Sequence, residues 1–161
     1  MTQAPESPLN RYLRILGGTT DLTLLVLRGH LLIEEQLQAL IERAVRDAAP
    51  LDEARLTFAQ KSRLAQAVLG PPFSTDALWY FIGQLNRLRN RLSHSAEVAS
   101  LESDVDALNR LSEAAAEAVV PPSSERANRL AIALASAGGS LDMLTAHVSR
   151  PQLTPPPSEP T

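Results

Sequence analysis

The chain has 161 residues, carries a net charge of −3 at pH 7 and contains no cysteine. This length is enough for one domain with a hydrophobic core, and the lack of cysteine excludes disulfide bonds and thiolate metal sites. The negative charge indicates that any contact with nucleic acid must come from a local basic patch. The first ten residues lack the pattern of a secretory signal, and the most apolar stretch, residues 22–33, is too short to span a bilayer. We therefore predict a cytoplasmic protein without membrane contact.

The chain begins with a polar stretch and then turns strongly apolar. Residues 1–18 are predicted to be a loose N-terminal leader, with a short helical lead-in over residues 11–16 that the glycine pair 17–18 ends. Threonine or aspartate at positions 19–21 can cap the first long helix, which is predicted to run over about residues 22–46. The first half of this helix is apolar on nearly every side, which is typical of a helix at the centre of a bundle.

The next two predicted helices have clear start and stop signals. Thr57 and Gln60 form the pattern of a capping box, and Gly70, followed by two prolines, ends that helix. A third helix is predicted to begin near Asp76 and to extend to His94. Apolar residues recur along it at spacings of three and four and predict one buried stripe, which comprises Leu78, Phe81, Ile82, Leu85, Leu88 and Leu92.

The rest of the sequence predicts two further helical segments and a tail. One segment lies between Ser100 and Pro121, and the other follows it. We expect the glycine pair 138–139 to break or kink the last segment. Residues 150–161 are rich in proline and are predicted to be a disordered tail. No alternating pattern typical of a strand occurs, so residues 19–149 are predicted to form one all-α domain, an up-and-down bundle of four to six helices.

The end of the third predicted helix carries the densest polar cluster in the sequence. A second stripe, facing away from the apolar one, is formed by Arg87, Asn90, Arg91 and His94. Arg89 borders the apolar stripe. One interpretation is a solvated face near a helix C-terminus, where the helix dipole favours cations. The other is a site for an anionic ligand, because this cluster exceeds what solubility requires.

The segment RNRLSH, residues 89–94, resembles the ribonuclease motif of the HEPN superfamily of small helical domains. In that motif an arginine precedes a histidine, with four to six residues between them. Arg89 and His94 match the shorter spacing and Arg87 and His94 the longer one, while Asn90 favours Arg89 as the motif arginine. The wider pattern is similar to the HEPN-like branch that includes the mannitol-operon repressor, and it consists of RGHLLIEEQLQALI at 28–41 and LTFAQKSRL at 56–64.

This resemblance implies a metal-independent endoribonuclease, of the kind found among toxins and phage-defence effectors. Arg89 would stabilise charge on the phosphate, and His94 would act as general base or general acid. Asn90 would orient the histidine or a phosphate oxygen, and Arg87 and Arg91 would bind RNA. Because one histidine cannot easily be both acid and base, the resemblance also implies a homodimer that brings two sets of residues into one cleft.

Two departures leave a second interpretation open. HEPN toxins that are paired with nucleotidyltransferases often carry a tyrosine two residues after the histidine, and this chain has Ala96 there. The repressor-like branch contains members thought to lack nuclease activity. The alternative is therefore a non-catalytic regulator or interaction module that binds protein or nucleic acid. An antitoxin or a regulatory protein is a candidate partner.

The first long helix offers two candidate acids and a histidine. His30 and Glu34 are one helical turn apart, but no second histidine pair accompanies them, which favours a satisfied buried pair over a metal site. Glu34 or Glu35 could instead pair with an arginine of the third helix as a supporting acid. We predict no metal and no cofactor. Trp79 and Tyr80 lie off the apolar stripe and are predicted to pack on a neighbouring element or on a dimer partner.

Overall fold

The computed structural model describes residues 8–71, 73, 77–94, 100–116 and 125–148. These residues form seven α-helices and no strand: α1 (Pro8–Leu16), α2 (Leu22–Ala44), α3 (Ala49–Ala54), α4 (Phe58–Leu69), α5 (Ala77–His94), α6 (Leu101–Ala116) and α7 (Arg126–His147). The predicted all-α bundle is confirmed, with one helix more than the predicted maximum. None of these helices is long and apolar enough to cross a membrane. The predicted tail, residues 150–161, lies outside the described residues.

Helix starts and ends follow the capping signals of the sequence. Asp21 accepts a hydrogen bond of 3.1 Å from the backbone N–H of Leu24 at the start of α2. The predicted capping box of α4 is present, since Thr57 and Gln60 each bond the backbone of the other. The short helix α3 was not predicted, because Pro50 suggested a connection. Pro50 instead occupies the first turn of α3, where a helix tolerates proline.

Helix α2 is the centre of the bundle and packs against α1, α4, α5, α6 and α7. Its buried residues lie on more than one side of the helix: Leu25, Val26, Gly29, His30, Leu32, Ile33, Leu37, Leu40 and Ile41. This arrangement explains why the first half of α2 is apolar on nearly every side. The core therefore surrounds α2, and α5 contacts it with one face only.

The helix predicted over residues 11–16 of the N-terminal leader is present, and it is longer than predicted, over residues 8–16. These residues form α1, which packs against α7 and α2, and the side chains of Tyr12 and Leu16 are 0% and 1% exposed. A helix of nine residues is marginal on its own, so its stability comes from this burial and not from its own propensity. Residues 1–7 of the predicted leader lie outside the described part of the chain.

The predicted break at the second glycine pair is wrong, because α7 continues without interruption through Gly138 and Gly139. Gly138 is buried against α1, and a Cβ atom there would lie 2.2 Å from Cζ of Tyr12. Gly29 of α2 faces α7 in the same way, since its Cβ would lie 2.4 Å from Cδ1 of Leu134. Gly29 and Gly138 therefore allow close contact between helices and do not end them.

Candidate nucleic-acid interface

Helix α5 separates its apolar and polar residues onto two faces. The buried face comprises Trp79, Phe81, Ile82, Leu85 and Leu88, and it packs against α2, α4, α6 and α7. The polar residues of the C-terminal half, Arg87, Asn90, Arg91 and His94, are exposed. Arg89 is half-buried between the two faces. The packing of this buried face thus holds the polar residues on the outside of the bundle.

Arg89 and Asn90 are in contact at the end of α5. Nη1 of Arg89 donates a hydrogen bond of 3.3 Å to Oδ1 of Asn90. His94 is exposed in the last turn of the same helix, and no hydrogen bond joins it to either residue within the described chain. No carboxylate among the described residues forms an ion pair with Arg87 or Arg89. Both guanidinium groups are therefore available to an external anion.

Arg91 differs from the other arginines of α5. Its Nη2 lies 2.6 Å from Oδ2 of Asp104 on α6, and Ser100 donates a hydrogen bond of 2.9 Å to the same carboxylate. The guanidinium group of Arg91 already has a partner within the chain. Arg91 therefore connects α5 to α6, and an RNA phosphate would have to compete with Asp104 for it.

The acidic residues of α2 do not pair with α5. Glu34 forms an ion pair of 2.9 Å with Lys61 of α4, and Glu35 pairs with Arg11 of α1. The prediction that one of them pairs with an arginine of the third predicted helix, which is α5, is therefore wrong. Glu34 lies beside Lys61 of α4 and Glu35 beside Arg11 of α1, so each carboxylate already has a basic partner within the bundle.

His30 is buried, as predicted, but its partner is not Glu34. Its Nε2 lies 3.1 Å from Oδ1 of Asn86, and its ring stacks on Phe58 with 4.0 Å between the ring centroids. Burial lowers the pKa of His30 below its ordinary value, and the charge of Arg89 acts in the same direction. The hydrogen bond with the amide oxygen of Asn86 and the charge of Glu34 oppose this shift. His30 thus connects α2, α4 and α5, and its burial favours the uncharged form of the ring.

Sequence reasoning missed Asn86, although a signal for it was present. Asn86 precedes Asn90 by one helical turn, so it extends the polar face of α5 towards the middle of the helix. What the sequence could not show is that Asn86 meets His30, because the two residues are 56 positions apart.

Two grooves flank the polar face of α5, each with a volume of about 420 Å³. The α4–α5 groove is lined by Arg63, Gln66, Tyr80, Gly83, Asn86 and Arg87, among others. The α5–α6 groove is lined by Tyr80, Gln84, Arg91, Asp104 and Arg110, among others. Tyr80 borders both grooves and is 55% exposed, whereas Trp79 is buried and donates a hydrogen bond of 2.6 Å to the carbonyl of Phe73. Trp79 therefore packs within the chain, and Tyr80 offers an open aromatic ring.

Over the residues that the structure describes, no group of three or more histidine or acidic side chains is placed to hold a metal ion. Comparison with protein-family models, curated proteins and solved structures finds no match to this chain. The function is therefore inferred from the residues and their geometry.

Proposed function

We propose that the protein is a metal-independent endoribonuclease of the HEPN type, with Arg89, Asn90 and His94 as its site at the end of α5. The observation that supports this most is the pair Arg87 and Arg89, which has no acidic partner within the described residues. The chain as a whole has more acidic than basic residues, 18 against 15. Each of these guanidinium groups is therefore a local point at which a phosphate could bind, although the two lie on different faces of α5.

The chemistry needs one proton acceptor, one proton donor and one cation. A base removes the proton from the ribose 2′-OH, whose oxygen attacks the phosphorus atom and forms a 2′,3′-cyclic phosphate. An acid gives a proton to the 5′ oxygen as the P–O bond to it breaks. His94 is exposed and can serve as base or acid, while Arg89 stabilises the charge on the phosphoryl oxygens. Asn90 holds the guanidinium group of Arg89 in place.

The proposal includes a homodimer, because one histidine per chain supplies only one of the two proton-transfer groups. A second copy of the chain, related by a two-fold axis near the end of α5, would supply the other. We expect light scattering to show a dimer at micromolar concentration, and a monomer across the accessible range would count against the two-histidine site.

A cytoplasmic location and a controlling partner belong to the same proposal. RNA cleavage without restraint harms the cell that makes the enzyme, so a toxin or a phage-defence effector needs an antitoxin or a regulatory protein. Co-purification of a small protein that suppresses cleavage would support this part of the proposal.

The direct test is RNA cleavage by the purified protein in the presence of EDTA. We expect Arg89→Ala and His94→Ala each to lower the rate by on the order of 10²–10⁴, and Asn90→Ala to lower it less. His147→Ala and Arg46→Ala are matched controls, since both residues are exposed and neither belongs to α5. Circular dichroism should show all variants folded, because none of these side chains is part of the buried core.

Two results would refute the nuclease. If the wild-type protein, freed of any partner, leaves RNA intact but binds it, the chain is a non-catalytic regulator of the repressor-like kind. If cleavage continues unchanged when Arg89 and His94 are both replaced, the activity belongs to a contaminant or to another site.

A further inference from the structure

The α4–α5 groove has the size and lining of a ligand site. Its volume of about 420 Å³ falls within the range of roughly 300–1,000 Å³ that is usual for small-molecule pockets. Phe58 and Trp79 supply apolar surface, while Arg63 and Arg87 supply positive charge from opposite helices. Gly83 of α5 has no heavy atom within 4 Å of its would-be Cβ, so the wall is open at that point.

The charge of the groove selects for an anion. No carboxylate occurs among the described residues that line it. Nη1 of Arg63 donates only a long hydrogen bond of 3.4 Å, to Oε1 of Gln66, and Arg87 has no ion pair in the described part. The α5–α6 groove differs in this respect, because Asp104 occupies the guanidinium group of Arg91 there. Among the described residues, the α4–α5 groove presents two arginines without an acidic partner, whereas Arg91 of the α5–α6 groove is paired with Asp104.

His30 positions a hydrogen-bond donor at the floor of this groove. In the orientation of the structure, the amide oxygen of Asn86 lies 3.1 Å from Nε2 of His30, and because this oxygen only accepts, the contact is a hydrogen bond in the tautomer that carries its proton on Nε2. The NH2 group of Asn86 then has no partner among the described residues, and Asn86 lines the groove. Stacking on Phe58 and burial hold the ring of His30 in place. The Asn86 amide is therefore fixed with its donors free for a ligand.

An exposed aromatic ring completes the site. Tyr80 lines the groove and is 55% exposed, so its face is accessible to a planar group. Nucleobases stack on such rings whatever their sequence, provided that they are not already stacked in a duplex. Arg87 lies in the C-terminal half of α5, which also carries the proposed cleavage residues Arg89, Asn90 and His94.

We infer that the α4–α5 groove binds one nucleotide of single-stranded RNA, with the base on Tyr80, the phosphate on Arg63 and Arg87, and a hydrogen bond from Asn86. The choice of RNA as the anion rests on the proposed function. The groove itself is a binding site and does not require that cleavage occurs.

The test uses a short fluorescein-labelled oligouridine that is 2′-O-methylated at every position and therefore cannot be cleaved through the 2′-OH. Binding is followed by fluorescence anisotropy in EDTA at several salt concentrations. We expect Tyr80→Ala to weaken binding roughly 5- to 100-fold and Tyr80→Phe, which keeps the ring, to bind as the wild type does. Arg63→Ala and Arg87→Ala should each weaken binding and lower the salt slope by about 1, with Arg46→Ala as the unchanged control.

The donor role of Asn86 is tested through Asn86→Asp. This change keeps an oxygen that faces His30, replaces the donor that faces the groove with a carboxylate oxygen and adds a negative charge to the groove. We expect binding of the oligonucleotide to fall while the melting temperature changes little. A loss of stability without a loss of binding would show that Asn86 is only structural.

The outcomes separate this inference from the nuclease proposal. If Tyr80→Ala and Arg87→Ala bind the probe as tightly as the wild type, or if the wild type does not bind it, the inference is overturned even when RNA is cleaved. Equal affinity for double-stranded RNA would overturn it as well. If the groove variants lose binding while the wild type cleaves nothing, the groove stands and the nuclease falls.

Discussion

The helices pack closely on one side of the molecule and leave grooves on the other. Where α7 meets α1 and α2, Gly138 and Gly29 bring the helices so near that no Cβ atom could be added without displacing a neighbour. Around α5, two grooves of about 420 Å³ remain, and Gly83 faces open space. The helices touch at Gly138 and Gly29, while the grooves beside α5 carry exposed arginines and an exposed tyrosine. Gly29 and Gly138 thus allow two helices to touch, whereas Gly83 lies in the wall of an open groove.

The largest expected effect is on the close contact itself. Gly138→Ala should lower the free energy of unfolding by about 1–3 kcal/mol, because its Cβ would overlap the buried ring of Tyr12. Gly139→Ala and Gly83→Ala should instead raise it by about 0.5–1 kcal/mol, since alanine favours the helix and meets no neighbour. Urea unfolding of the three variants measures the difference.

Helix propensity alone would make alanine stabilising at both 138 and 139. Effects of opposite sign at these two positions would therefore indicate the contact between Gly138 and Tyr12. If Gly138→Ala and Gly139→Ala change stability equally, the close contact between α1 and α7 does not limit packing, and the comparison fails on that side.

The second expected effect is a dependence of stability on pH through His30, which contacts Asn86 of the α4–α5 groove. Because burial lowers the pKa of His30 in the folded protein, the unfolded chain binds a proton below its ordinary pKa of about 6.5 and the folded chain does not. Stability should therefore fall as the pH drops through this value, by at most about 1.4 kcal/mol per pH unit, and level off below the folded pKa. Arg89 strengthens this trend, and Glu34 weakens it.

His30→Gln is the matched variant, since an amide can still donate to Asn86 but does not titrate. Urea unfolding between about pH 7.5 and pH 5.5 should show a smaller slope for this variant than for the wild type. Equal slopes would mean that His30 is as easily protonated in the folded protein as in the unfolded chain.

The third expected effect is at Tyr12, where α1 is in close contact with α7. The hydroxyl of Tyr12 is buried and has no hydrogen-bond partner among the described residues, and burial raises the pKa of this phenol. Tyr12→Phe removes this polar group and keeps the ring against Gly138, so it should raise the free energy of unfolding by on the order of 1 kcal/mol. A loss of stability, measured by urea unfolding, would show that the hydroxyl is hydrogen-bonded in solution.

The smallest expected effect is at Arg91, which lines the α5–α6 groove. Arg91 is 52% exposed, and its ion pair with Asp104 is therefore largely screened by solvent. Arg91→Ala should lower the free energy of unfolding by less than about 1 kcal/mol, and by less at high salt. It should also weaken binding of the uncleavable oligouridine less than Arg87→Ala does, because Asp104 already neutralises Arg91. A larger loss with Arg91→Ala would move the RNA path to the α5–α6 groove.

The fold was largely predictable because the long helices carry their own signals. The capping box at Thr57 and Gln60 and the leucine spacing of α5 are local patterns, and each forms as predicted. The full length and the docking of α1, and the continuity of α7, were not predictable in this way. Both depend on the contact between Tyr12 and Gly138, which are more than one hundred residues apart. Local helix propensity does not report contacts between residues so distant in sequence.

The candidate site was predictable in composition but not in its contacts. Helical periodicity is enough to place Arg87, Asn90 and His94 on the outside of α5. The pairing of Asp104 with Arg91 and of His30 with Asn86 joins different helices, so it required the packed structure. Which charges of α5 are compensated is therefore a property of the fold and not of the motif.

The contact of α1 with α7 has a consequence for how the chain is made. A ribosome releases the N-terminal part first, so Tyr12 and Leu16 emerge long before their main partner helix, which ends at His147. Until then, two large side chains that are fully buried in the finished protein remain without that cover. The contact of α1 with α7 joins segments that are more than one hundred residues apart, so it carries a larger loop-closure entropy than the contact of α1 with α2. Helix α1 is made well before α7 and therefore cannot complete its packing until α7 has been synthesised.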